Sequence, residues 1–344
     1  MSRPSVLMIH TGGTLGMQLP EGTRLELGEE EHLARLTDRV PELSEMADID
    51  LIAPWNHDSS DIGPDHWRAL AELIVTQGGL GRPGGYSGVV VIHGTDTLAY
   101  TASMMAYMLR HLDRPVVFTG SQRPLDAWRT DARANLAAAV ECATRQLPEV
   151  CIVFGDSILR ACRSSKIDAR SYNAFAAPSF GTIGQIGTEL SLIPQPAHDP
   201  GAAFVLKDQL DTRVLALTLF PGVDTAMVAK NIKTSVEAGV LRAVLIRGFG
   251  VGNVPIGGLS DLRPLLADAS GNNLELVISS QCYRGHTDLS MYPGGRALVD
   301  AGAIPARDMT FEAAITKTMW ALAQPEKTLR EWFDTNLAGE VSLG

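Results

Sequence analysis

The chain is 344 residues long, 45% hydrophobic and 20% charged, with a net charge of -10 at pH 7. That length exceeds one ordinary core and predicts two domains, while the acidic balance excludes the basic footprint of a nucleic-acid binder. No run approaches the ~18 consecutive apolar residues of a membrane helix, so the expectation is a water-soluble α/β protein that does not work in a membrane.

Met1-Ser2-Arg3-Pro4 leads straight into an apolar run, which leaves no room for a leader peptide and predicts a cytoplasmic protein. Ser5 to Ile9 reads as a buried strand, and the polar stretch Met17 to Glu30 after it suits a mobile lid. Gly63-Pro64-Asp65 opens a helix whose Trp67, Leu70, Ala71 and Ile74 share one face, and Gly78-Gly79 marks its end. A second strand follows at 88–92, then a helix from Thr97 to His111 with Leu98, Ala102, Met105 and Leu109 as its core stripe. Strand 115–119, helix 131–146 and strand 150–154 continue the alternation, which predicts a doubly wound, mostly parallel sheet covered on both faces.

The Pro- and Gly-rich stretch from Ile193 to Gly201 marks a domain boundary. The expected organisation is a larger N-terminal α/β domain at 1–195, a linker at 196–212 and a smaller C-terminal α/β domain at 213–344. Within the latter, strands at 213–219, 243–247 and 274–279 alternate with helices at 224–238 and 260–269, and helical stretches near 310–323 and 325–338 close the chain. Four cysteines, Cys142, Cys151, Cys162 and Cys282, form no CxxC pair and have no histidine at ligand spacing, which predicts reduced thiols and no metal. Cys282, just after an apolar strand, reads either as a small buried apolar group or as part of a pocket lining.

Two loops carry the chemistry. His10-Thr11-Gly12-Gly13-Thr14-Leu15-Gly16 and His93-Gly94-Thr95-Asp96-Thr97 each begin where a predicted parallel strand ends, the edge of an open α/β sheet where ligands collect. A threonine hydroxyl attacks only beside a group that takes its proton and donors that hold the oxyanion, and glycines 12 and 13 let a backbone come close to a substrate. Thr14 is therefore either a nucleophile or the N-cap of a turn. Asp96 or Thr97 would cap the next helix whatever the function, but capping leaves Thr95 unexplained. Lys166, in Arg163-Ser164-Ser165-Lys166 on the loop after strand 150–154, is the candidate to complete a proton relay with Thr95.

Thr-Gly-Gly-Thr after the first strand, Asp58-Ser59-Ser60-Asp61 before a helix, His-Gly-Thr-Asp-Thr, Thr119-Gly120-Ser121-Gln122 and Ser-Ser-Lys together resemble the bacterial L-asparaginases, most of all the cytoplasmic type I enzymes. The likeness runs on through Arg247-Gly248-Phe249-Gly250-Val251-Gly252-Asn253 and Gln281-Cys282. It implies hydrolysis of L-asparagine to L-aspartate and ammonia without cofactor or metal. Thr14 would form an acyl-enzyme ester, and Thr95, Asp96 and Lys166 would move the protons. Asp58, Ser59, Ser60 and Ser121 would bind the substrate together with Thr95 and Asp96. It further implies a homo-oligomer, dimer or tetramer, and a second asparagine site involving Ser165, Arg247 and Cys282, with serine where those relatives have threonine.

One departure stands out: many relatives carry a lid tyrosine where this chain reads Glu21-Gly22-Thr23-Arg24-Leu25, and its nearest phenol is Tyr86. Two other classes compete. A nucleotide-binding oxidoreductase would need G-x-G-x-x-G in place of Gly12-Gly13-x-x-Gly16 and an acidic residue closing a second strand. A noncatalytic amino-acid sensor would need Ser59 and Asp96 but neither Thr14 nor Lys166.

Overall fold

The computed structural model describes residues 3–18, 26–27, 36–193, 202–271 and 274–342. The chain divides into two compact units, Met1–Asp208 and Gln209–Gly344. Most of the expected lid and the stretch Glu21–Leu25 lie outside the described residues, as do residues 194–201 of the expected boundary region.

In the first unit β1 (Ser5–His10), β2 (Asp48–Ile52), β3 (Gly88–Ile92), β4 (Val116–Thr119) and β5 (Val150–Phe154) run parallel. The β-branched runs of β3, β4 and β5 are buried on both faces, as helices on either side of a parallel sheet require, whereas the edge strand β2 stays partly exposed. β6 (Ser157–Arg160), β7 (Gly184–Ile186) and β8 (Leu190–Leu192) extend the sheet antiparallel, giving the order β8-β7-β6-β5-β4-β3-β1-β2. Because β1 lies between β2 and β3, the winding reverses between β1 and β3, and their C-terminal ends frame the crevice that such a reversal opens.

Helices α1 (Pro64–Gly78), α2 (Leu98–Met108) and α3 (Ala132–Ala143) connect these strands. α1 begins at a proline and ends at Gly79, whose φ of 67° is the left-handed stop expected of glycine. The core face of α1 is Trp67, Leu70, Ala71 and Ile74, as the spacing predicts. α2 is buried almost all round, well beyond the four-residue stripe read from its sequence.

In the second unit β9 (Val214–Thr218), β10 (Ala243–Gly248), β11 (Glu275–Ser280) and β12 (Ile304–Pro305) form a parallel sheet in that order. Helices α4 (Thr225–Glu237), α5 (Arg263–Gly271), α6 (Pro293–Asp300), α7 (Phe311–Ala321) and α8 (Leu329–Asp334) accompany it. α6 and β12 go unpredicted. α6 opens on Pro293-Gly294-Gly295, where a Cβ on Gly294 would fall on the Val254 carbonyl and one on Gly295 on the Leu289 backbone. Close packing, invisible to helix propensity, selects those glycines.

Candidate functional site

Three loops of the first unit meet beyond the ends of β1 and β3. Thr11 continues the β1 pairing, its N–H and its hydroxyl both donating to the Ile92 carbonyl at 2.9 Å. The Thr11 carbonyl in turn accepts the His57 N–H at 3.2 Å. Gly12 and Gly13 then take φ of 113° and 88°, a conformation that glycine alone adopts without strain. A Cβ on Gly12 would fall on the His57 carbonyl, and one on Gly13 on the Gly94 Cα. A Cβ on Gly94 would stand 2.7 Å from Ser59 Oγ. Loops 11–16, 57–61 and 93–97 are thus in direct backbone contact, and the two threonines of interest each come one residue after the Gly13–Gly94 contact.

Thr14 opens a short 3-10 turn, Thr14–Gly16, and is half-buried. Gly13 holds the N-cap position with no side-chain capping bond, so Thr14 is not a cap. The Leu15 carbonyl accepts the Leu125 N–H at 3.1 Å and ties this turn to the segment after β4.

Lys166 Nζ donates to Thr95 Oγ1 at 2.8 Å and to Asp96 Oδ1 at 2.7 Å. Thr95 is 6% exposed, whereas the Asp96 side chain is 70% exposed; the carboxylate therefore sits at the mouth and the hydroxyl inside. Lys166 reaches this point by a route the sequence does not suggest. β5 turns at Gly155-Asp156 into antiparallel β6, which leads away from this edge of the sheet, and residues 161–166 return past α2, where Ser103 Oγ donates to the Ala161 carbonyl at 3.2 Å. A two-residue ribbon, Ser165–Lys166 against Phe175–Ala176, then holds the lysine. The expected capping of α2 is also absent: Thr97 is the N-cap residue without a capping bond, and its hydroxyl donates instead to the Ser59 carbonyl at 2.6 Å.

Asp58 caps the turn Ser59–Asp61, its Oδ1 accepting the Ser60 N–H and the Ser60 hydroxyl, both at 2.8 Å. The backbone bond, then the hydroxyl bond, holds the Asp58 carboxyl below the usual carboxylate range, so it stays anionic. Ser59 is buried against Gly94, while Asp58 and Ser60 are exposed. Ser121 is 1% exposed and its hydroxyl donates to the Arg123 carbonyl at 2.6 Å; its proton is committed to its own turn. Tyr86, the nearest phenol in sequence, donates to Asp50 Oδ2 at 2.6 Å, which together with burial pushes it up to about 12.

Sequence reasoning passed over the groups that brace the site from below. Asp131 accepts the Gln122 N–H at 2.9 Å and the Arg123 N–H at 3.1 Å. Asn135, one helical turn on, donates to the Gly120 carbonyl at 2.9 Å and accepts the Gly155 N–H at 3.1 Å, joining the ends of β4 and β5. Their spacing of four on α3 was the available signal. Gln122 Oε1 faces Thr95 Oγ1 at 3.5 Å, and its Nε2 donates to the Ser171 carbonyl at 3.0 Å.

The residues expected at a second site are divided between the units. Ser165 belongs to the first unit and is buried. Arg247 and Cys282 belong to the second, at the C-terminal end of its parallel sheet. The Arg247 guanidinium lies 4.8 Å from the Phe311 ring centroid with no partner for Nε among the described residues, and Cys282 is exposed. Among the described residues no group of three or more His, Cys, Asp or Glu could hold a metal ion, and no helix is long and apolar enough to cross a membrane.

Fold and site define a two-unit α/β enzyme with hydroxyl-bearing loops at the switch point of its larger sheet. A family model described as asparaginase, N-terminal, matches residues 5–198, and one described as glutaminase/asparaginase C-terminal domain matches residues 213–333. L-asparaginase 1 of Escherichia coli K12 is 32% identical over 350 residues, covering 99% of both chains. Two solved structures are similar over 99% of this chain and 100% of theirs. One is the thermostable L-asparaginase from Thermococcus kodakarensis, with a TM-score of 0.85 and 29% identity; the other is L-asparaginase I from Vibrio cholerae, with 0.83 and 30%. The chain belongs to the asparaginase family.

Proposed function

We propose that this chain is a cytoplasmic L-asparaginase that hydrolyses the side-chain amide of L-asparagine through an ester on Thr14. The observation that carries the reading is the pairing of Lys166 with Thr95 and Asp96 one residue beyond the glycine contact that leads into Thr14. A sensor of the same fold has no use for that pairing. Thr14 Oγ attacks the carboxamide carbon, main-chain N–H groups near Thr14 and Thr95 hold the oxyanion, and the collapsing intermediate releases ammonia. Water then attacks the ester carbon, L-aspartate leaves, and the Thr14 hydroxyl is restored. Thr95, Lys166 and Asp96 pass the protons in both halves.

The α-ammonium is held by the carboxylates of Asp58 and Asp96, and the α-carboxylate by the Ser59 hydroxyl and by Ser60 once its donors turn from Asp58 Oδ1, with Ser121 lining the far side. Opposed charges of this kind reject uncharged amides, since a neutral ligand would leave them unpaired. The working form is a dimer or tetramer. Asparagine also binds a regulatory site that includes Arg247 and Cys282 of the second unit, for which the Arg247 Nε, without a partner among the described residues, is the supporting feature.

The test is ammonia release from L-asparagine, L-glutamine and D-asparagine over a concentration series. Release from L-asparagine supports the assignment, and none from any of the three removes it. A sigmoidal rate curve with L-asparagine supports the regulatory site, whereas a hyperbolic one at every concentration removes that part alone.

A further inference from the structure

His10 is the last residue of β1 and is wholly buried, four residues before Thr14. Its Nδ1 accepts the Gly12 N–H at 3.1 Å, so the ring carries its proton on Nε2. That Nε2 is buried with no hydrogen-bond partner among the described residues. An apolar ring would fill the same space without leaving a buried N–H unpaired, so packing gives no reason for an imidazole here. What the imidazole provides toward the loop, among the described residues, is the acceptor for Gly12.

That acceptor acts on the tightest backbone in the site. Gly12 and Gly13 run between the His57 and Gly94 backbones with no room for a Cβ on either, so turning the Gly12 peptide moves Gly13 against Gly94 and shifts Thr14. Across the contact, His93 is wholly buried too and makes the complementary bond: its Nδ1 lies 2.8 Å from the Gly94 carbonyl. A carbonyl only accepts, so here Nδ1 carries the proton. The two imidazoles hold opposite tautomers, one gripping an N–H of the first loop and the other a C=O of the second. Burial lowers both to about 4, which keeps them neutral around pH 7.

We propose that His10 is a positioning residue: by accepting the Gly12 N–H it sets the Gly12–Gly13 backbone against Gly94 and so places the Thr14 hydroxyl for attack. This rests on the reading of Thr14 as nucleophile. The role belongs to the acceptor atom and not to the ring. Asparagine is held through Asp58, Ser59, Ser60 and Asp96, whereas the His10 ring bonds to Gly12, so losing the acceptor lowers kcat and leaves KM near its starting value.

Two substitutions separate the acceptor from the shape. His10→Phe keeps a ring and has no acceptor; His10→Asn gives up the ring and offers Oδ1 near the place of Nδ1. With L-asparagine, His10→Phe loses kcat by on the order of a hundredfold, the scale of a roughly 1 Å misplacement, and His10→Asn recovers most of it. A kcat for His10→Asn no higher than that of His10→Phe overturns the inference, whether both are impaired or both are normal. Should His10→Phe not fold, as judged by thermal melting, His10→Asn decides alone, with near-normal kcat supporting the acceptor role and a large loss overturning it. Absence of ammonia release by the unsubstituted chain is a different result and sinks the asparaginase reading instead.

Discussion

Lys166 Nζ and Thr95 Oγ1 are 2.8 Å apart across 71 residues of sequence. Under the proposed mechanism this bond polarises the hydroxyl that relays protons around Thr14. Thr95→Val and Lys166→Met are each expected to lower kcat by on the order of a thousandfold, and the double variant to fall little further, because a relay fails as a unit. Steady-state kinetics of the three variants check this. Multiplicative losses in the double variant would show that the two groups act independently.

Gly13→Ala tests the loop contact itself. Its Cβ would fall on the Gly94 Cα at a backbone φ of 88°, so either the Thr14 turn or the Thr95 loop must move. The expected outcome is a loss of kcat on the order of a hundredfold or more, with a lowered melting temperature. Full activity in a folded Gly13→Ala protein would mean that the two loops need not touch.

The buried histidines give stability a defined acid dependence. Burial lowers His10 and His93 from 6.5 to about 4, so between those values the unfolded chain binds protons that the folded chain refuses. Stability therefore falls as pH drops from 6.5 toward 4, and these two groups contribute no slope above that window. Urea unfolding at several pH values measures the slope, and His10→Asn removes one of the two contributions. An unchanged slope in that variant contradicts the assignment.

In the second unit Lys317 and Glu340 form an ion pair in which neither side chain is exposed. Burial works to raise the Glu340 carboxyl, but the Lys317 charge and bond together with the Leu337 and Ala338 N–H groups outweigh it and leave it lowered. Lys317→Met strands a buried carboxylate, and the expected cost is about 3–5 kcal/mol, read as a fall in the denaturant midpoint. A change too small to measure would show that water reaches Glu340.

Four parallel strands of the first unit, β1, β3, β4 and β5, were legible as short apolar runs, with β3 and β4 each leading into an amphipathic or alanine-rich helix; β2 was not, because Asp48 and Asp50 interrupt its apolar pattern and the strand stays partly exposed. The antiparallel return through β6 was not legible either, although Gly155-Asp156 is a two-residue hairpin signal; the alternation of strand and helix predicted a parallel neighbour and overrode it. Motif spacing named Thr14, Thr95, Asp96 and Lys166, since strand ends and glycines are local features. It missed Asp131 and Asn135, whose bonds to Gln122, Arg123, Gly120 and Gly155 exist only once α3 lies beneath the ends of β4 and β5. It passed over His10 as well, because a histidine ending an apolar strand looks the same whether it fills space or accepts a hydrogen bond.

In the proposed mechanism the Thr14 hydroxyl attacks the amide, and the decisive experiment is ammonia release from L-asparagine by the Thr14→Ala protein. The expected kcat is lower by on the order of a thousandfold or more, with asparagine binding still measurable by calorimetry. A Thr14→Ala protein that releases ammonia within about tenfold of the unsubstituted rate, a difference in barrier of only about 1.4 kcal/mol, would contradict it.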